Sequence, residues 1–207
     1  MYAAYRGSTG YAGSTSPVIT QTVNFTSACI VTTVNGGLTV KSGQAVCIAS
    51  AGTVNGRITV QPGGALYING ATINGGVTAT SATAMRICGA TINGGVTASG
   101  TTGFVVIGDD GDDGPPGCTA STVNGGVSLT SNTGGLEIAG DRITGAVTLT
   151  ANTGPGPTTE DAAPELEGNT ITGTLSCAAS NVPAITDGGQ KNAVTGTKSG
   201  QCAGTGF

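Results

Sequence analysis

The chain has six cysteines, eleven acidic and seven basic side chains, and no histidine. These residue types limit the chemistry available. Without imidazole there is no Ser-His-Asp or Cys-His nucleophile and no histidine-ligated zinc. Sugar hydrolysis by paired carboxylates needs two acids fixed on a rigid face. Eight of the eleven acids stand instead in or beside two Gly/Pro-containing stretches: Asp109, Asp110, Asp112, Asp113, Glu160, Asp161, Glu165 and Glu167. Arg57, Arg86 and Arg142 fall in different parts of the repeat described below. The expectation is a protein that is not an enzyme. Asp109, Asp110, Asp112 and Asp113 in GDDGDDGPPG are the oxygen donors that Ca²⁺ takes, but their spacing is not that of a helix-loop-helix calcium loop. A solvated acidic loop and no cofactor is the favoured reading.

The chemistry left to the cysteines is pairing, which suits an oxidising compartment. Which sulfurs meet depends on what brings them together. The stretch GATINGGVTA occurs at 70–79 and again at 89–98. Around it runs a longer repeat. An aliphatic residue of the motif T-[VI]-N-G recurs at Val34, Val54, Ile73, Ile92, Val123, Ile143, Ile171 and Val194. The steps are 20, 19, 19, 31, 20, 28 and 23 residues. Two residues on, every unit has glycine: Gly36, Gly56, Gly75, Gly94, Gly125, Gly145, Gly173 and Gly196. Between them stand Asn35, Asn55, Asn74, Asn93 and Asn124, then Thr144, Thr172 and Thr195. Aliphatic residues follow at two further columns, Leu38 to Leu175 and Val40 to Cys177.

Alternation over short segments predicts strands with one buried face. An Asn-Gly pair between two strands predicts a corner, with glycine taking a backbone conformation that other residues avoid. A period near 20 residues is that of a solenoid. The expected fold is therefore all-β: a single-stranded parallel β-helix of about eight turns and 19–20 residues per turn, stapled by disulfides. The crossover rule favours a right-handed coil. The solenoid should cover 29–207, with insertions near 108–117 and 154–164, and 1–28 should be a Tyr/Gly/Ser-rich arm or cap.

Stacking then selects among the fifteen pairings that six cysteines allow. Only cysteines one turn apart come within disulfide reach, about 7 Å between Cα atoms. The pairs that satisfy this are Cys29–Cys47, Cys88–Cys118 and Cys177–Cys202.

Two surfaces stand out. On one outer face four consecutive turns show Thr78/Thr80, Thr97/Ser99, Ser128/Thr130 and Thr148/Thr150. This resembles the paired-Thr arrays of ice-binding β-solenoids, although Thr is also a favourable exposed strand residue. Lys41, Gln61 and Ala178 interrupt the array at its ends. The arm holds Tyr2, Tyr5 and Tyr11, then the alternating Ile19, Val23 and Phe25. It would either cap the N-terminal end or add to a neighbour's open edge.

The repeat T-V-N-G-x-V-T-V and the ending GNTITGTLSCAASNVPAITDGGQKNAVTGTKSGQCAG resemble secreted β-solenoid proteins of actinobacteria, a group without an assigned activity. The resemblance spans about residues 29–205 and is most specific at the C-terminal stretch. It implies export and a disulfide-capped end. Bactofilins, cytosolic filament-forming solenoids of similar turn length, are a weaker likeness, and the cysteine pairs depart from them. The first residues, MYAAYRGSTGYAGSTS, lack the apolar core of a secretory leader. The native leader is therefore expected to lie outside this chain. A net charge of −4 argues against a nucleic-acid partner, and no apolar run has the length of a membrane helix.

The leading functional expectation is an extracellular structural protein that associates with itself into filaments or a surface layer. The alternatives are an ice-binding protein acting through the Thr face, and a surface adhesin or glycan-binding module acting through the insertions.

Overall fold

Val, Ile and Thr at alternate positions favour extended backbone, because β-branched side chains pack well on a pleated surface. In the computed structural model each turn gives one short strand to each of three parallel sheets. The structure describes residues 28–109, 118–154, 156, 163–179, 181, 190–205 and 207, and the backbone of 4–5 and 14–15.

The first sheet holds the T-[VI] segments: Thr33–Asn35, Thr53–Asn55, Thr72–Ile73, Thr91–Ile92, Thr122–Val123, Arg142–Ile143, Thr170–Ile171 and Ala193–Val194. The second holds Leu38–Val40, Ile58–Val60, Val77–Thr80, Val96–Ser99, Val127–Thr130, Val147–Thr150, Leu175–Cys177 and Lys198–Gly200. The third has six strands: Ala45–Ile48, Ala65–Asn69, Ala84–Cys88, Val105–Gly108, Leu136–Ala139 and Glu165–Glu167. Register follows the sequence columns throughout. Ile92 pairs with Ile73 and Val123, Val96 with Val77 and Val127, and Ile87 with Ile68 and Ile107. The expected β-solenoid is the fold observed.

One core runs along the axis, filled by one column from each strand position. Ile73, Ile92, Val96, Ile87, Ile107, Ile138 and Ile143 are wholly buried within it. Each such side chain contributes about 1.5–3 kcal/mol of transfer free energy. No single turn could close this core alone, so stability comes from stacking.

The Asn-Gly corners differ from expectation. Among the described residues only Gly36, in the first turn, has positive φ in that glycine column (89°). The stacked glycines are required by contact instead. A Cβ on Gly125 would lie 2.6 Å from the Gly94 carbonyl carbon, and on Gly94 2.8 Å from that of Gly75. Left-handed backbone occurs at the other two corners. There it is carried by glycines such as Gly63, Gly100 and Gly140, and by Ser81, Ser131 and Ala151.

All three expected disulfides are formed: Cys29–Cys47, Cys88–Cys118 and Cys177–Cys202, with Cα separations of 4.5, 5.0 and 5.4 Å. The first and last lie at the two ends of the stack.

Candidate functional site

The second sheet presents the Thr face. Strict alternation buries Val77, Ala79, Val96, Ala98, Val127, Leu129, Val147 and Leu149 and turns their neighbours outward. Stacking sets Thr78, Thr97, Ser128 and Thr148 in one register column, and Thr80, Ser99, Thr130 and Thr150 in a second. Thr80 and Thr97 are exposed and the other six are half-buried. Successive strands lie about 4.8 Å apart. The expected eight residues are thus together on one face of the second sheet, in two columns of uncharged side chains.

The first sheet carries a second hydroxyl column that the sequence reading did not single out: Thr33, Thr53, Thr72, Thr91 and Thr122. Beside it the exposed Asn side chains form a continuous amide ladder. Asn55 Nδ2 donates to Asn35 Oδ1 at 3.0 Å, Asn74 to Asn55 at 2.9 Å, Asn93 to Asn74 at 2.9 Å and Asn124 to Asn93 at 2.8 Å. The Asn column of the repeat thus forms one edge of the first corner.

Two further ladders lie inside the other corners. At the second corner Asn132 and Asn152 each give their backbone N–H and their Nδ2 to the side-chain oxygen of the next rung, Asn152 and Asn181. At the third, Ser121, Asp141 and Asn169 each give their backbone N–H to the side-chain oxygen of the next rung, Asp141, Asn169 and Asn192, and Asn169 gives its Nδ2 as well. All these rungs are buried. A buried amide is tolerated when its donors and acceptors are all met. Asp141 is the exception in kind. Burial pushes its carboxyl well above the usual carboxylate range, against the opposing effect of the Ser121 N–H bonded to it.

The acids are not all in solvated loops, as the sequence reading had them. Asp109 is 4% exposed, and its Oδ2 accepts the Cys118 N–H at 2.8 Å. Glu165 and Glu167 form a strand with Leu166 between them. Pairing of Leu166 with Ile138 draws both glutamates into the third sheet, where they are buried beside the buried Glu137. Asp110, Asp112 and Asp113 lie outside the described residues. Among the described residues no three metal-ligating side chains converge, and no helix is long and apolar enough to cross a membrane.

The two ends of the stack are unlike. At the C-terminal end the short 3-10 turn Gln201–Ala203 folds over the last turn, with Cys202 fully buried and Phe207 packed on the core. Lys198 Nζ donates to the Phe207 carbonyl. At the N-terminal end Ile30, Val34, Leu38 and Val46 are only partly covered, and Val31 is 53% exposed. Among the described residues no strand pairs with the outer edges of Thr33–Asn35 and Leu38–Val40. Of the expected arm, Ala4–Tyr5 pairs antiparallel with Ser14–Thr15. Tyr2, Tyr11, Ile19, Val23 and Phe25 lie outside the described residues.

No protein-family model matches the chain, and neither a curated protein nor a solved structure does. A functional reading therefore rests on these surfaces.

Proposed function

We propose that the chain is an extracellular structural rod that associates through its N-terminal end. The observation that carries this is the difference between the ends. Every internal turn buries its Val/Ile column completely, whereas Ile30, Val34, Leu38 and Val46 stay partly open. Open strand edges and apolar end faces favour pairing with another chain. At the C-terminal end Cys202 is buried and Phe207 packs on the core, although Val194 is partly open and, among the described residues, no strand pairs with the outer edges of Ala193–Val194 and Lys198–Gly200. Contact between two equal N-terminal faces is self-complementary and closes at two copies. The three disulfides favour an oxidising location.

Sedimentation and negative-stain microscopy over a concentration series test this, with and without residues 1–16. The expected particle is two rods end to end, each stack very roughly 40 Å long from the strand rise. Leu38→Lys should return it to single rods. Single rods at every concentration would overturn the reading, and long fibres would show that both ends associate.

A second reading is favoured by the register of the Thr face: eight small hydroxyl side chains held in two straight columns. Such a surface is suited to a periodic solid such as ice. Thr80→Tyr should abolish any thermal hysteresis of the protein, and activity unchanged by that variant would exclude this face.

A further inference from the structure

The third-corner ladder has one rung of different chemistry. Each rung accepts a backbone N–H from the turn below through a side-chain oxygen. Ala90 N donates to Ser121 Oγ at 3.2 Å, Ser121 N to Asp141 Oδ1 at 2.6 Å, Asp141 N to Asn169 Oδ1 at 2.9 Å and Asn169 N to Asn192 Oδ1 at 3.2 Å. Three rungs also donate to a carbonyl of the third sheet, one turn below. Ser121 Oγ reaches Ile87 O at 3.3 Å, Asn169 Nδ2 reaches Ile138 O at 2.7 Å and Asn192 Nδ2 reaches Leu166 O at 2.8 Å. Ile87, Ile107, Ile138 and Leu166 follow one another in a single register column. The pattern therefore omits one carbonyl, that of Ile107, and it falls to Asp141. Asp141 is 1% exposed, and its Oδ2 has no hydrogen-bond partner among the described residues.

We propose that Asp141 is carried in the folded rod as the neutral acid, an O–H donor to the Ile107 carbonyl in the place of an asparagine amide, and that its ionisation loosens the turns it joins. An ionised carboxylate has only acceptors and would set negative charge against that carbonyl with no donor between them. Burial acts in the same direction, favouring the uncharged form. The charged groups on the surrounding elements do not offset this. Asp109 follows the strand that holds Ile107, and its carboxylate is bonded to the Cys118 N–H. Glu137, Glu165 and Glu167 stand on the two following strands of the third sheet and are acids themselves. Arg86 is two strands from Glu137 in the register, and Arg142 and Lys191 are exposed.

The sign of the pH effect follows. A carboxyl whose folded pKa is raised keeps its proton after the unfolded chain has released it. The folded state is therefore fully favoured below the ordinary Asp value, about 3.9. Above it the unfolding constant rises by about tenfold per pH unit until Asp141 ionises in the folded rod.

The test is urea unfolding of the intact, oxidised protein from about pH 4 to about pH 8, around the ordinary carboxyl range, for the wild type, Asp141→Asn and Asp141→Ser. It is joined by a carbon-13 NMR titration of the Asp141 carboxyl. The expected result is a wild-type chain that weakens with rising pH, an Asn variant whose slope is smaller by about one proton, and a carboxyl resonance that stays at the protonated position above the ordinary Asp value. Equal slopes in wild type and Asn variant, or a carboxyl that titrates at the ordinary value, would overturn the proposal. Should the variants fail to fold, the wild-type titration decides alone.

Discussion

Gly75 lies against Gly56 so closely that a Cβ on Gly75 would sit 2.6 Å from the Gly56 carbonyl carbon. The contact is backbone against backbone and has no flexible side chain to yield. Gly75→Ala should force two stacked corners apart and cost about 1–3 kcal/mol, the usual range for overpacking. The measurement is the urea midpoint of the variant. Unchanged stability would mean that the corners are free to separate, and that the glycine column reflects something other than contact.

The buried and exposed amide ladders should respond differently to truncation. Asn152→Ala leaves the Asn132 N–H and Nδ2 without their acceptor, and the Leu129 carbonyl without its donor, in a site closed to water. Each of these three stranded groups costs about 1–3 kcal/mol, so a total loss of at least about 3 kcal/mol is expected. Asn74→Ala breaks an exposed ladder whose groups can turn to solvent, and should cost less than about 1 kcal/mol. Equal losses for the two variants would contradict the assignment of the inner ladder as a structural element.

The sheets and disulfides were legible in the sequence because a strand period of two and a turn near 20 residues both leave marks in single residues. Ile73 above Val54, or Cys29 beside Cys47, could be placed by counting. The inner ladders were not legible. Asn132, Asn152, Asn169 and Asn192 look like ordinary turn residues, and the earlier turns place Ala71, Ala82 and Ala90 in the same columns. The column therefore changes from apolar to polar midway and shows no composition of its own. Glu165 and Glu167 were read with the Gly/Pro insertion beside them. What decides their place is the single Leu166 between them, which must meet Ile138.

The Cys177–Cys202 bridge closes the C-terminal cap over the last turn. Its sequence separation of 25 residues corresponds to about 3.5 kcal/mol in the chain-entropy account. Replacing both cysteines by serine should release the 3-10 turn. Amide exchange should then accelerate at Ala193–Val194 and Lys198–Gly200, with the turns around Ile92 unaffected. Exchange that rises evenly along the chain would instead indicate that the stack unfolds as one unit, with no separate fraying of its end.

A reciprocal pair of substitutions tests the second corner. Gly100 (φ 64°) and Ala151 (φ 53°) hold similar left-handed conformations there, two turns apart. For alanine this conformation costs about 1–2 kcal/mol, whereas glycine adopts it without penalty but loses about 0.5–1 kcal/mol more backbone entropy on folding. Ala151→Gly should therefore stabilise the rod slightly, by about 0.5 kcal/mol. Gly100→Ala should destabilise it by about 1 kcal/mol, with the nearest obstacle to the new methyl being the Ser81 side chain at 3.3 Å. Thermal unfolding of the two variants reads both signs. A loss in both would show that Ala151 is held by packing of its methyl group, and that backbone strain does not govern this corner.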